Sequence, residues 1–311
     1  MDYVQLYQAI QDYSENTEPL FVNNIPRFVM EAEDRIYNNV QIPSLRKNVL
    51  GTLTASNKYL SCPNDYLSTY SLAVVDSTGN YTYLLNKDVN FIRECYPDPT
   101  STGLPKYYAL FGSQYSSPNE LTFIMGPTPD TNYMAELHYF YYPVSIVQGA
   151  IATLSPLSAS GASGGTLYNT GVYSNVPLTG GNGSGATANI VVVGGSVTSV
   201  TLTNPGNFYA VGDTLSASSS NIGGSGTGFA IKVATVNNPA GTSWLGDNYD
   251  PVLLYASMRE AVLFMKGEQD MVSYYEKMYQ EAIAQLRRLG DGLERNDAYR
   301  KGQTALPYDK L

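Results

Sequence analysis

The sequence carries little charge, one histidine, one tryptophan and two cysteines in 311 residues. Charged side chains make up 14% of the chain, well below the usual quarter. A single histidine excludes a histidine-rich metal site. Cys62 and Cys95 show no metal-ligand spacing and read as reduced thiols. No apolar run reaches the roughly 18 residues that a membrane-spanning helix needs. The N-terminal stretch MDYVQLYQAIQDYSEN has acids and amides where a signal peptide has a basic region, so none is expected. The net charge of −9 disfavours a general nucleic-acid surface, because affinity there comes from neutralising phosphates. An acidic lining past which DNA slides remains open.

Tyrosine is what the chain has in excess, with 27 residues. Its amphipathic ring suits strand faces and protein interfaces. The second feature is a stretch from 150 to 240 whose only charges are Asp213 and Lys232. It is built of Gly, Ser, Thr, Asn and Val, and it contains a repeat: GGNGSGATANIVVV from Gly180 and GGSGTGFAIKVATV from Gly223. Each copy is a Gly-rich turn leading into a β-branched strand. Ile190 to Val193, Gly194-Gly195 and Val197 to Leu202 read as a hairpin. A flexible linker has no reason to keep such strands.

Around this stretch the pattern is helical at both ends. Residues 2–14 place Val4, Leu6, Tyr7 and Ile10 near one face. Over 19–40, Phe21, Ile25, Phe28, Val29, Ala32 and Ile36 form a buried stripe. Glu31, Glu33, Asp34 and Arg35 make the expected wet face, and Pro26 marks a kink or a first turn. Strands are expected at 48–54, 67–76, 80–85, 106–112, 119–125 and 132–143, with a helical turn near 89–95. Asp250-Pro251 reads as a cap followed by the first helical residue. Leu254, Met258, Ala261, Val262 and Met265 give that helix its apolar face. A second helix over about 269–289 turns Met271, Tyr275, Met278, Ala282 and Leu286 to one side and stops at Gly290 and Gly292. Residues 291–311 read as an extended tail.

A catalytic constellation is not legible. His138 stands in mid-strand without a partner motif, which favours a sheet residue with a satisfied ring nitrogen over a general base. The run GGNGSGAT lacks the Gly-Lys-Ser/Thr ending of a phosphate loop and leads into a strand. Glu31 with Glu33, and Asp247 with Asp250, are explained by helix surfaces and caps. A glycosidase would need two carboxylates across a cleft. Asp291 to Asp297 does not follow the calcium-loop pattern. No catalytic, cofactor or metal residue is assigned.

Two segments resemble a known family. FVNNIPRFVMEAEDRIYNNV (21–40) resembles the helix of head-to-tail adaptor (connector) proteins of tailed bacteriophages. YLSCPNDYLSTYSLAV (59–74) is similar to their strand, Pro-x-Asp-Tyr turn and strand. The similarity resumes at SWLGDNYDPVLLYASMREAVLFMKGEQDMVSYYEKMYQEAIAQL (243–286), in the family's closing helices. TLTNPGNFYAVGDTLS (201–216) resembles a β module of phage structural proteins.

The residue patterns and the resemblance together read as an α+β protein: a helical adaptor core, an antiparallel β-sandwich-like part and an inserted all-β domain, which departs from the compact family pattern. The corresponding divisions are 1–148, 150–240, 242–290 and a tail at 291–311. The resemblance implies a non-enzymatic virion protein at the neck, made in the host cytoplasm. There it forms a homo-oligomeric ring of about twelve copies, with portal protein and tail or nozzle proteins as partners and DNA passing through without specific binding. Tyr299, Leu306, Tyr308 and Leu311 are spaced anchors in the tail and are the candidate portal contacts. A tail, baseplate or fibre component, and a carbohydrate-binding or carbohydrate-cleaving protein, remain the alternatives. No cofactor and no membrane are expected.

Overall fold

The structure is a computed structural model, and it describes residues 1–98, 100–112 and 121–303, with side chains through Gly290. In chain order the elements begin with α1 (Tyr3–Ser14), α2 (Pro19–Val22) and α3 (Ile25–Asn39). Next come β1 (Arg46–Leu53), β2 (Tyr59–Ser61), β3 (Tyr66–Val75), β4 (Tyr81–Tyr83), β5 (Leu85–Asn86), α4 (Val89–Cys95), β6 (Tyr107–Leu110), β7 (Thr122–Gly126) and β8 (Tyr133–Tyr141). A second series of strands follows: β9 (Ala150–Leu154), β10 (Ser163–Thr166), β11 (Gly171–Thr179), β12 (Thr187–Val193), β13 (Ser196–Asn204), β14 (Thr214–Ala217) and β15 (Thr227–Asn237). The last elements are α5 (Trp244–Asn248), α6 (Asp250–Phe264) and α7 (Gln269–Gln303). The protein is mixed α+β, as expected, and its sheets are open. The chain forms two compact units, one from Met1–Val40 and Val144–Leu289, the other from Gln41–Pro143 with the chain from Gly290 on.

In the first unit the helices form where the apolar spacing places them. Asp2 caps α1 in a capping box with Gln5, so two free amides are satisfied reciprocally. Tyr3, Leu6 and Ile10 are buried, whereas Val4 faces out. Pro26 lies in the first turn of α3, a position that needs no amide hydrogen. The α3 stripe of Ile25, Phe28, Val29, Ala32 and Ile36 is buried, and α3 and α1 both pack on α6. Glu33, expected on the wet face, is 2% exposed. The Ile146 amide meets one of its oxygens, donating to Oε1 at 2.9 Å. Arg35, Arg259, Glu260 and Glu276 alternate in sign across α3, α6 and α7: Arg35 meets Glu260 at 2.9 Å and Arg259 meets Glu260 at 2.8 Å, with Arg259 also on Glu276.

Three helix details differ from expectation. Tyr249, not Asp250, caps α6, and Asp250 lies inside the first turn, where a carboxylate favours the helix dipole. The buried side of α7 is Tyr275, Tyr279, Ala282, Ile283 and Leu286, while Met271 is exposed. And α7 does not stop at Gly290 and Gly292 but runs to Gln303, so 291–303 is helix and not an extended tail. A helical glycine costs about 1 kcal/mol against alanine, a local penalty that a long helix can absorb.

The strands of this unit share a core of their own, centred on Ala188, Ile190, Val192, Leu215, Ile222 and Ile231. The expected hairpin is present, with Val193 opposite Ser196 and both Gly194 and Gly195 at positive φ. The two Gly-rich runs fold alike. Gly180, Gly181 and Gly185 take φ of 108, 72 and 79°, and Gly223, Gly224 and Gly228 take 84, 123 and 82°. Sheet order shows that the likeness extends further. Six strands run β9-β15-β14-β11-β12-β13, with β10 also on β15. Reading each copy as three strands (β9, β11, β12 and β13, β14, β15), the order is a palindrome. The first strand of each copy pairs with the third strand of the other. Ala150 opposite Asn237 brings the two ends of the stretch together.

The second unit holds two four-stranded sheets, β1-β8-β3-β4 and β2-β7-β6-β5. Pairing is antiparallel except for β5 with β6. Leu72, Val74 and Leu137 of one sheet share a core with Tyr108, Phe123 and Met125 of the other, which is the sandwich-like part. Alternation along β8 follows the sequence: Ala135, Leu137 and Tyr139 are buried in this core.

Candidate functional site

Of the four anchors proposed for the tail, one lies on a described element. Tyr299 lies on α7, and Leu306, Tyr308 and Leu311 lie outside the described residues. What the structure adds is recognition surface on the second unit. Because Ala135, Leu137 and Tyr139 of β8 face the core, Met134, Glu136 and His138 face the other way. The register then sets Leu50, Glu136, Ala73 and Tyr83 in one row across β1, β8, β3 and β4, and Thr52, Met134, Val75 and Tyr81 in the next. Leu50, Met134, Tyr81 and Tyr83 are exposed. The rings of Tyr81 and Tyr83 stack at 6.5 Å.

Polar groups in this face are tied to one another. Asn48 Nδ2 donates to Glu136 Oε1 at 2.6 Å, and His138 Nε2 meets the same oxygen at 3.0 Å. The His138 contact, with Tyr81 and Asn48 behind it, holds the Glu136 carboxyl below its usual range. His138 is thus the sheet residue with a satisfied ring nitrogen. Stacking and hydrogen bonding are what this face can do.

The outer side of the other sheet carries α4 and a row of half-buried rings. Tyr59 and Phe111 lie 5.9 Å apart, with Lys58 over the first and Arg93 over the second. Phe91 meets Tyr107 edge-on at 5.4 Å under Lys87. Such cation–π pairs are interface chemistry as well as packing. The quoted Pro-x-Asp-Tyr turn is structural: Asp65 accepts from the Tyr139 hydroxyl at 2.8 Å and from Lys47 at 2.6 Å. Its neighbour Tyr66 stacks on Tyr139 at 6.1 Å.

Among the described residues, no group of three His, Cys, Asp or Glu side chains could hold a metal, and no helix is long and apolar enough to cross a membrane. No disulfide joins the two cysteines, Cys62 buried and Cys95 exposed.

Helical ends, a tyrosine-faced sandwich and a duplicated β module define a class: an α+β protein with open antiparallel sheets. The family model for the SU10 adaptor protein matches residues 1–162, and the chain belongs to that family of phage adaptor proteins. The matched span covers the N-terminal helices, the sandwich and the first strand of the module. The segment 243–286 lies beyond it. No curated protein matches the chain.

Proposed function

We propose that this protein is a non-enzymatic structural component of the virion neck. Copies of it, about twelve, close a ring between portal and tail, and DNA passes through the ring during genome ejection without specific binding. The observation that carries this reading is the adaptor-family match over the helices and sandwich. The net charge of −9 supports it, since a polyanion slides past an acidic wall more readily than past a basic one. The tail anchors Tyr299, Leu306, Tyr308 and Leu311 dock on the portal. The β module at 150–240 is a separable domain between core segments 1–148 and 242–290, and it turns toward tail or nozzle proteins. The protein is made in the host cytoplasm and needs no cofactor.

Particle mass in the presence of purified portal protein tests the reading. A portal-bound ring of about a dozen copies is expected. A trimer that ignores the portal would point to a fibre component, and a monomer with affinity for oligosaccharides to a carbohydrate-binding protein.

A further inference from the structure

The duplicated β module has two matching corners, and only one of them is covered. Each corner starts from a residue held at positive φ, Leu167 at 65° and Phe208 at 59°, followed by a tyrosine. The amide of Tyr168 donates to Gly195 O at 3.0 Å, and that of Tyr209 to Gly149 O at 3.0 Å. A Cβ on Gly165 would strike Thr227 O, Phe229 N and the Tyr168 ring. One on Gly206 would strike Ser184 O, Ala186 N and the Tyr209 ring, which are the matching atoms of the other copy.

At the second copy's corner, Phe208 is the seat of α1. Its ring lies 5.4 Å from both Tyr3 and Tyr7, one helical turn apart, and Asn207 Nδ2 donates to the Tyr3 hydroxyl at 3.0 Å. At the first copy's corner the equivalent residue, Leu167, is 74% exposed. Val193, two residues before the Gly195 that accepts from Tyr168, is 56% exposed and Val172 is 72% exposed. Val172 pairs with Val191, which lies two residues from Val193 and so on the same face of β12. The module's only charges are Asp213 and Lys232, and Asp213 is occupied by the amides of Asn182 and Ala210. The three exposed side chains of the open corner are uncharged, as are the Tyr3 and Tyr7 rings that meet Phe208.

We infer that the Leu167 corner is a second helix seat. It takes an amphipathic helix of another polypeptide, with aromatic residues at i and i+4 as in Tyr3 and Tyr7. The chain's own α1 is committed to Phe208, so the occupant comes from a partner. A seat of this kind is a helix-in-groove site read through spaced anchors.

The test uses the full-length protein and a synthetic peptide of residues 1–16, stapled between positions 8 and 12, which α1 turns outward. Saturable shifts of the Leu167, Val172 and Val193 methyl resonances are expected at peptide concentrations below about 1 mM. Leu167→Asn with Val193→Thr should weaken binding at least about tenfold while leaving the melting temperature unchanged, since both side chains are exposed and Asn accepts positive φ. Replacing Tyr3 and Tyr7 of the peptide by alanine should have the same effect. No binding, binding that displaces α1 from Phe208 instead, or binding indifferent to these substitutions would each overturn the second seat. None of these outcomes bears on ring formation with the portal.

Discussion

The Ile146 amide donates to Glu33 Oε1 at 2.9 Å, joining two residues 113 positions apart in the chain. Burial drives the Glu33 carboxyl up to about 7, against the hydrogen bonds from Ser145 and Ile146 that pull it down. A carboxyl raised in the folded state binds its proton more tightly there than in the unfolded chain. Its contribution to stability is therefore largest below about pH 4.5 and is lost as pH rises toward 7, by about 3 kcal/mol at most. Glu33→Gln keeps an acceptor for the Ile146 amide and has no proton to lose. Urea titrations at pH 5 and pH 8 should show a smaller pH dependence in the variant, which is the more stable of the two at pH 8 by about 2 kcal/mol. Equal slopes in variant and parent would exclude Glu33 as the titrating group.

The reciprocal packing of the module predicts a matched pair of costs. Gly165 and Gly206 both have positive φ and both face backbone of the other copy. Gly165→Ala and Gly206→Ala should each destabilise by about 3 kcal/mol or more. Gly194 also has positive φ but open space around it, so Gly194→Ala should cost only about 1 kcal/mol. Chemical denaturation distinguishes the cases. A low cost at either Gly165 or Gly206 would mean that the two halves are not equivalent in packing.

Separability of the module can be tested by deletion. Its core is self-contained, and its ends meet where the Gly149 amide donates to Asn237 O at 3.1 Å. Replacing residues 152–239 by a short Gly/Ser bridge should leave a helical protein with a cooperative melt. The melting temperature should fall, because Tyr3 and Tyr7 lose Phe208 and Tyr3 loses Asn207. Loss of the cooperative transition would place the module within the core itself.

Much of this architecture is legible in the sequence where a period repeats. The α3 stripe, the alternation in β8 and the Gly194-Gly195 hairpin are local patterns, and each depends on neighbours a few residues away. Glu33 is not legible, because a glutamate between Glu31 and Asp34 looks solvated until a distant amide is known to reach it. The palindromic sheet is half legible. The Gly-rich repeat shows the duplication, but the exchange of β9 and β13 between copies depends on long-range pairing. The seat at Phe208 escapes for the same reason, although Leu167-Tyr168 and Phe208-Tyr209, each three residues before a glycine, are a visible signal. The end of α7 is misread because glycine is a common helix stop but also a tolerated helical residue.

The continuation of α7 sharpens the expectation for the C-terminal segment. Among the described side chains, the buried hydrophobic ones on this helix are Tyr275, Tyr279, Ala282, Ile283 and Leu286. The segment beyond mixes Arg295, Arg300 and Lys301 with Asp291, Glu294 and Asp297, too polar to build a core alone. On the proposed reading its anchors, Tyr299, Leu306, Tyr308 and Leu311, dock against a preformed portal surface, where the entropy lost on ordering is offset by contacts. Truncation after Gly290 should therefore leave the melting temperature of the free protein within about 2 °C of the parent and weaken attachment to purified portal at least about tenfold. Tyr308→Ala alone should give part of that loss with no change in melting. If the truncated protein binds portal and completes particles as well as the full chain does, these residues have no docking role.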